Sequence, residues 1–371
     1  MRKRHPKNVR IKRQYLIYLE DAKRLSPTSV DQIAAAIDLF DTANGFKDFA
    51  AFNIEQARKF KRHLDAAKNP KTGKPLSKAT TYSRLMALKD FFKWLAGQPG
   101  YKSKFTYSDA DYFNPSNNDG RIANASREKL GPTLEQVRHV LASMPTATDI
   151  EKRDRALFAF AFLSGARDDA IASMLIKHVD LQRRTVFHDA RSVRTKDRKT
   201  ITSTFFPVGD DIEKIVAEWI AYLTETKLFG TDDPLFPATQ NGFDENKHFS
   251  PIGLARKGWT NPGAIRRVFR KAFEMAGLPY FNPHLCRKTL AALGQRLCAT
   301  PEELKAWSQN LAHENVLTTF TSYGNIASHR QAEIMNGLAK PAPPTANPFA
   351  GLDKSAIRAL LVALDKEDQN A

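Results

Sequence analysis

Residues 153–167 read RDRALFAFAFLSGAR. From Ala156 to Leu163 every side chain is apolar, so a helix here has no wet face and must be buried on all sides. Gly165 follows as its stop. Such a helix needs a shell, and the flanking sequence supplies one. Upstream, Thr133 and Gln136 form a capping pair that opens another helix. Downstream, RRTVFHDA (183–190) and KTITSTFFPV (199–208) alternate and are β-branched, which predicts two strands joined by an exposed basic turn, RSVRTKDR. Helices return in DDIEKIVAEWIAYL, GAIRRVFRKAFEMAG, HLCRKTLAALGQRL and TPEELKAWSQNLAH. The last carries Thr300, Pro301 and Glu303 as cap, first helical position and capping-box partner. The expectation is a mostly α chain with a small antiparallel β-sheet.

The residues before Thr133 differ in character. SPTSVDQIAAAIDLFDTA has a start signal in Thr28 and Asp31, then Val30, Ile33, Ile37 and Phe40 at helical spacing. IEQARKFKRHLDAAK and SKATTYSRLMALKDFFKWLAGQPG repeat the pattern with Lys and Arg on the polar faces. Residues 1–113 therefore read as a helical domain behind a basic N-terminal arm, and 114–132, rich in Asn, Ser, Gly and Pro without an apolar period, as a linker. Residues 133–335 form a second domain. Residues 336–371 hold a spacer with Pro341, Pro343, Pro344 and Pro348, then a short helix with Ile357, Leu360, Leu361 and Leu364 on one stripe. A helix that short needs a surface to dock on, its own or a neighbour's.

Bulk properties narrow the partner. The 371 residues carry 57 Lys and Arg against 40 Asp and Glu, a net charge of +17. Seven of the first thirteen residues are basic and none acidic. Nucleic acid is the expected partner, through phosphate neutralisation and counterion release; charge serving solubility alone is the bland alternative. No apolar run approaches the ~20 residues of a membrane span, and the basic start lacks a signal-peptide cleavage site. Cys286 and Cys298 make neither a disulfide framework nor a metal cluster, so a reducing cytoplasm is expected. Phosphate-loop, dinucleotide, zinc-protease and serine-hydrolase signatures are all absent.

What remains is an ordered cationic set. Arg167 sits in SGARDDA, Lys196 in RTKDR, His284 and Arg287 in PHLCR, His313 in LAHEN and Tyr323 in TFTSY. The order Arg, Lys, His-x-x-Arg, His, Tyr resembles the tyrosine recombinases, the phage integrase family, over roughly residues 133–330. LSGARDDAIASMLIKHVDL is similar to the family's first-arginine box, RTKDRKTITSTFFPV to its β-hairpin lysine, PHLCRKTLAAL to its HxxR helix and LAHENVLTTFTSYG to its histidine–tyrosine box. The helical first domain is similar, less specifically, to the family's SAM-like core-binding domain. Two positions depart from the pattern: Ala170 stands where the family commonly has an acid, and Lys288 where it often has histidine.

The resemblance implies an α+β catalytic domain that cuts and rejoins DNA through a 3′-phosphotyrosyl intermediate. Tyr323 would be the nucleophile. Arg167 and Arg287 would give paired donors to the non-bridging oxygens of a pentavalent phosphate, an effect worth about 3 kcal/mol per donor. A phenol with a pKa near ~10 needs a proton acceptor, for which His284 is the candidate. Lys196 would protonate the departing 5′ oxygen, with Lys199 in the same turn as the alternative, and His313 would hydrogen-bond the phosphate. No metal or other cofactor is expected.

Further contacts to duplex DNA are expected from Arg2, Lys3 and Arg4 of the arm, from Arg194, Arg198 and Lys199 of the basic turn, and from Arg266, Arg267 and Lys288. The family analogy also implies a homo-oligomer, a tetramer on two DNA sites linked through the C-terminal helix, with accessory DNA-bending proteins as further partners and no membrane. Two other functions share the scaffold: type IB topoisomerase-like relaxation and non-catalytic DNA-binding regulation.

Overall fold

The structure, a computed structural model, describes residues 4–70, 72–125, 131–243 and 247–313, with 332, 335 and 336. Arg2, Lys3, Tyr323, the Pro-rich spacer and the stripe from Ile357 to Leu364 lie outside the described residues. The chain divides into two compact units, Met1–Arg127 and Glu128–Ala371. No helix among the described residues is long and apolar enough to cross a membrane.

The first unit is helical, with α1 Pro6–Ile17, α2 Pro27–Ala43, α3 Ile54–Ala66, α4 Lys78–Ala96 and α5 Asn117–Asn124. Its core is unusually aromatic. Phe40 sits edge-on to Phe60, Phe92 and Phe113 at centroid separations of 5.3, 5.3 and 5.6 Å, the arrangement that ring quadrupoles favour. Three features differ from the sequence reading. Helix α2 is capped by Ser26, whose hydroxyl accepts from the Ser29 amide, with Pro27 at the first position; Thr28 already lies inside. The basic arm is helical from Pro6, because Asn8, Ile11 and Tyr15 recur on one buried face. The Asn8 side chain donates to Asp41 at 2.8 Å and accepts from the Phe49 amide at 2.9 Å. Finally, the Asn/Ser-rich stretch contains α5, started by Ser116, whose hydroxyl accepts from the Asp119 amide. Residues that read as loop-formers act there as a helix start.

In the second unit α6 Leu134–Ser143 opens with the expected Thr133–Gln136 capping box. The apolar segment is α7 Asp149–Ser164, with residues from Ala156 to Ser164 all buried, and Gly165 ends it in the left-handed conformation at φ 62°. Helix α8 Asp168–Ile171 follows. A three-stranded antiparallel sheet, β1 Val179–Asp180, β2 Thr185–His188 and β3 Ile201–Thr204, runs in sequence order. Helix α9 Asp210–Ala221 packs on α7. A second hairpin, β4 Ala238–Phe243 with β5 Phe249–Ala255, was not predicted. Arg153, 3% exposed, holds its base by donating to the Pro237 carbonyl at 2.9 Å and to Thr239 at 3.0 Å. Helices α10 Gly263–Met275, α11 His284–Leu297 and α12 Pro301–Asn310 complete the unit. The chain reaches α6 across the flank of α11. Thr289 donates to the Pro132 carbonyl at 2.6 Å, and a β-carbon on Gly131 would collide with Thr289 and the Leu285 carbonyl.

Candidate active site

Four elements converge below the C-terminal end of α7. Gly165 turns the chain so that Arg167 becomes the residue before α8. No side chain fits at Gly165: a β-carbon would lie 2.8 Å from the Phe206 ring, 3.1 Å from Leu290 and 3.2 Å from Leu311. Arg287 rises from α11 and is 6% exposed. Its two terminal nitrogens donate to the Gly165 carbonyl at 2.5 Å and to the Leu311 carbonyl, the first from the arginine box and the second at the end of α12. A buried guanidinium is tolerable only where such acceptors await it. Across the sheet, His188 of β2 meets the hydroxyl of Ser203 on β3 at 3.1 Å. Arg167, His188, Thr195, Lys196, Ser203 and Arg287 line a single cavity here.

The protonation states follow from this crowding. Burial, then the nearby Arg167 charge, lowers the Arg287 pKa to about 9, so the group stays cationic at neutral pH. His284, at the start of α11, is pushed down by desolvation and then by Arg287 and Arg167. His313 falls to about 4, again through desolvation first, then Arg287, Arg167 and His284. His188 reaches about 4 by burial and by Arg287, His178 and Arg167. The result is two guanidiniums and a lysine set among neutral imidazoles. Such an arrangement can stabilise an added anion, and a neutral histidine can accept a proton.

The structure thus gathers Arg167, Lys196, His284, Arg287 and His313 into one neighbourhood, while Tyr323 lies outside the described residues. His313 follows Ala312, a left-handed residue at φ 53° that turns the end of α12 so that the His313 amide donates to the Ser308 carbonyl. The residues expected on DNA are placed variously. Arg4 pairs with Asp38 at 3.7 Å, Arg266 with Asp168 at 2.8 Å and Arg194 with Asp169 at 2.8 Å. Arg198, Lys199 and Arg267 are exposed and Lys288 is half-buried. Among the described residues, no group of three or more His, Cys, Asp or Glu could hold a metal ion.

A model of the phage integrase family matches residues 133–330, more than half of the chain. The chain belongs to that family. Over 316 residues it is 23% identical to the tyrosine recombinase XerC of Escherichia coli O127:H6, spanning 82% of this chain and 88% of the relative. Its fold is similar to a lambda integrase dimer bound to a COC′ core site, with a TM-score of 0.57, 12% identity and coverage of 88% of this chain and 83% of the other. It is also similar to the XerH site-specific recombinase bound to its difH substrate, with a TM-score of 0.52, 17% identity and coverage of 87% and 84%.

Sequence reasoning missed His188, Thr195 and Ser203 as lining residues. For His188 a signal existed: it shares the buried face of β2 with Val186, two positions earlier. An imidazole on an apolar face of a predicted strand is a group that needs a partner.

Proposed function

We propose that this protein is a site-specific DNA recombinase that cuts and rejoins DNA strands through a 3′-phosphotyrosyl intermediate. The observation that carries the reading is the buried, doubly anchored Arg287 beside Arg167 at one cavity with Lys196. Two neighbouring guanidiniums with like charge raise each other's energy until an anion arrives, and a pentavalent phosphate is the anion that gains most.

In this mechanism the Tyr323 oxygen forms a bond to phosphorus as the bond from phosphorus to the 5′ oxygen breaks. His284, held neutral, takes the phenolic proton; Lys196 gives a proton to the 5′ oxygen; His313 donates a hydrogen bond to a phosphate oxygen. The phosphodiester energy stays in the tyrosyl bond, so resealing needs no nucleotide. Duplex DNA is the substrate, its phosphates met by lysines and arginines from both units. A cytoplasmic tetramer on two sites, joined by the C-terminal helix and assisted by DNA-bending proteins, is the assembly we propose. The solved structures of lambda integrase and XerH on their DNA sites support this substrate class.

The test uses a nicked suicide duplex taken from inverted repeats flanking the gene. The full-length protein is expected to form a covalent protein–DNA adduct that Tyr323→Phe abolishes. An adduct that persists in Tyr323→Phe would refute the assignment of the nucleophile. No adduct from the parent protein would favour a regulator, and relaxation of any supercoiled plasmid would favour a topoisomerase.

A further inference from the structure

Arg194 was expected on the DNA, yet it makes three directional contacts inside the protein. Its backbone amide donates to the Ser173 hydroxyl at 2.9 Å, its Nε to Asp169 Oδ1 at 2.8 Å and its Nη2 to the Trp259 carbonyl at 2.9 Å. The chain positions matter. Asp169 lies two residues after Arg167, and Arg194 lies two residues before Lys196. The ion pair is therefore a short bridge between the arginine box and the lysine turn. Trp259 is fixed in its own right, since its amide donates to the Ala172 carbonyl at 3.2 Å and its ring lies 5.0 Å beneath the Arg153 guanidinium.

The bridge meets the chain just ahead of the lysine turn. Lys196–Arg198 is a single 3₁₀ turn between two four-residue strands, Arg198 takes a positive φ of 51°, and Lys196 is exposed. Arg194 anchors the chain two residues before Lys196, and a proton donor acts at a distance set by the segment that carries it. The departure at Ala170 points the same way. The acid three residues after Arg167 is missing, and the two acids that are present, Asp168 and Asp169, face Arg266 and Arg194.

We propose that Arg194 and Asp169 form a clamp that positions Lys196 over the leaving oxygen. Arg194 is a positioning residue, acting through Lys196. The inference rests on the reading of Lys196 as proton donor, and the experiment separates the two.

Full-length protein is given the suicide duplex with either oxygen or sulfur at the 5′ bridging position of the scissile phosphate. A thiolate departs without protonation, so the sulfur substrate bypasses the proton donor. Arg194→Ala and Asp169→Asn are expected to slow adduct formation on the oxygen substrate by about 10- to 100-fold, up to the lower limit of the ~10²- to 10⁴-fold that a general acid supplies, since the lysine itself is still present. On the sulfur substrate both are expected to match the parent, as Lys196→Ala does. Equal slowing on both substrates would overturn the clamp, because a damaged fold or lost DNA contact does not depend on the leaving group; so would normal rates on both. If Lys196→Ala itself gains nothing from sulfur, the lysine assignment fails and the clamp falls with it. Rescue of Lys196→Ala without rescue of Arg194→Ala or Asp169→Asn sinks the clamp alone.

Discussion

Arg287 is buried and charged together, and the protein accommodates it with two main-chain carbonyls instead of a carboxylate. A carboxylate would neutralise the site; carbonyls leave its field intact while fixing the plane of the guanidinium. The surroundings pay in histidine basicity. His188 titrates near ~6.5 in an unfolded chain and at about 4 when folded. Between those pH values the unfolded state binds a proton that the folded state refuses. The contribution is whole above pH ~6.5 and is lost as pH falls toward ~4, amounting to about 3 kcal/mol for this one buried group. His188→Gln is therefore expected to flatten the acid limb of a plot of melting temperature against pH, read by circular dichroism from pH ~7 to ~4.5. An unchanged limb would disprove the assignment. The cationic residues were named from the sequence because their order, Arg, Lys, His-x-x-Arg, His, resembles that of the phage integrase family. His188, Thr195 and Ser203 were not, since only strand pairing brings residues from β2, the turn and β3 to the same cavity wall.

Among the elements, the turn at Gly165 controls most. It stops α7, presents Arg167 and offers Arg287 its carbonyl. Gly165→Ala combines a left-handed backbone with a β-carbon 2.8 Å from Phe206, and is expected to cost about 2 kcal/mol in urea unfolding. Because the displaced carbonyl also frees Arg287, adduct formation should fall by more than the loss of folded protein explains. Unfolding and cleavage that match the parent would show that the packing at this turn has slack. Two element starts, Thr133–Gln136 and Thr300–Glu303, were readable because the reciprocal hydrogen bonds of a capping box leave a fixed i,i+3 signature, though the Thr148–Glu151 box that opens α7 went unnoticed. Ser26 and Ser116 cap through a single accepted bond, which looks like any loop serine. The β4–β5 hairpin escaped notice because its strands contain Asn241, Gly242, Pro251 and Gly253, residues that ordinarily mark turns.

For the molecule as a whole, the dominant quantity is a net charge of +17. A duplex ligand should displace many counterions, so affinity for DNA of arbitrary sequence is expected to drop by about 10³-fold or more between 50 and 200 mM salt. Fluorescence anisotropy across that range measures the slope, and a flat response would remove phosphate neutralisation as the source of binding. The two units differ in what they do with charge: the first builds an aromatic core beneath a basic surface, the second brings cations into its interior. Within the second unit, the segment ahead of α6 is fastened close to the site. The chain arriving from residue 131 is riveted to α11 at Thr289, two residues beyond Arg287. That bond makes α11 the anchor of the segment entering α6, so whatever shifts Pro132 also bears on the helix that carries the guanidinium.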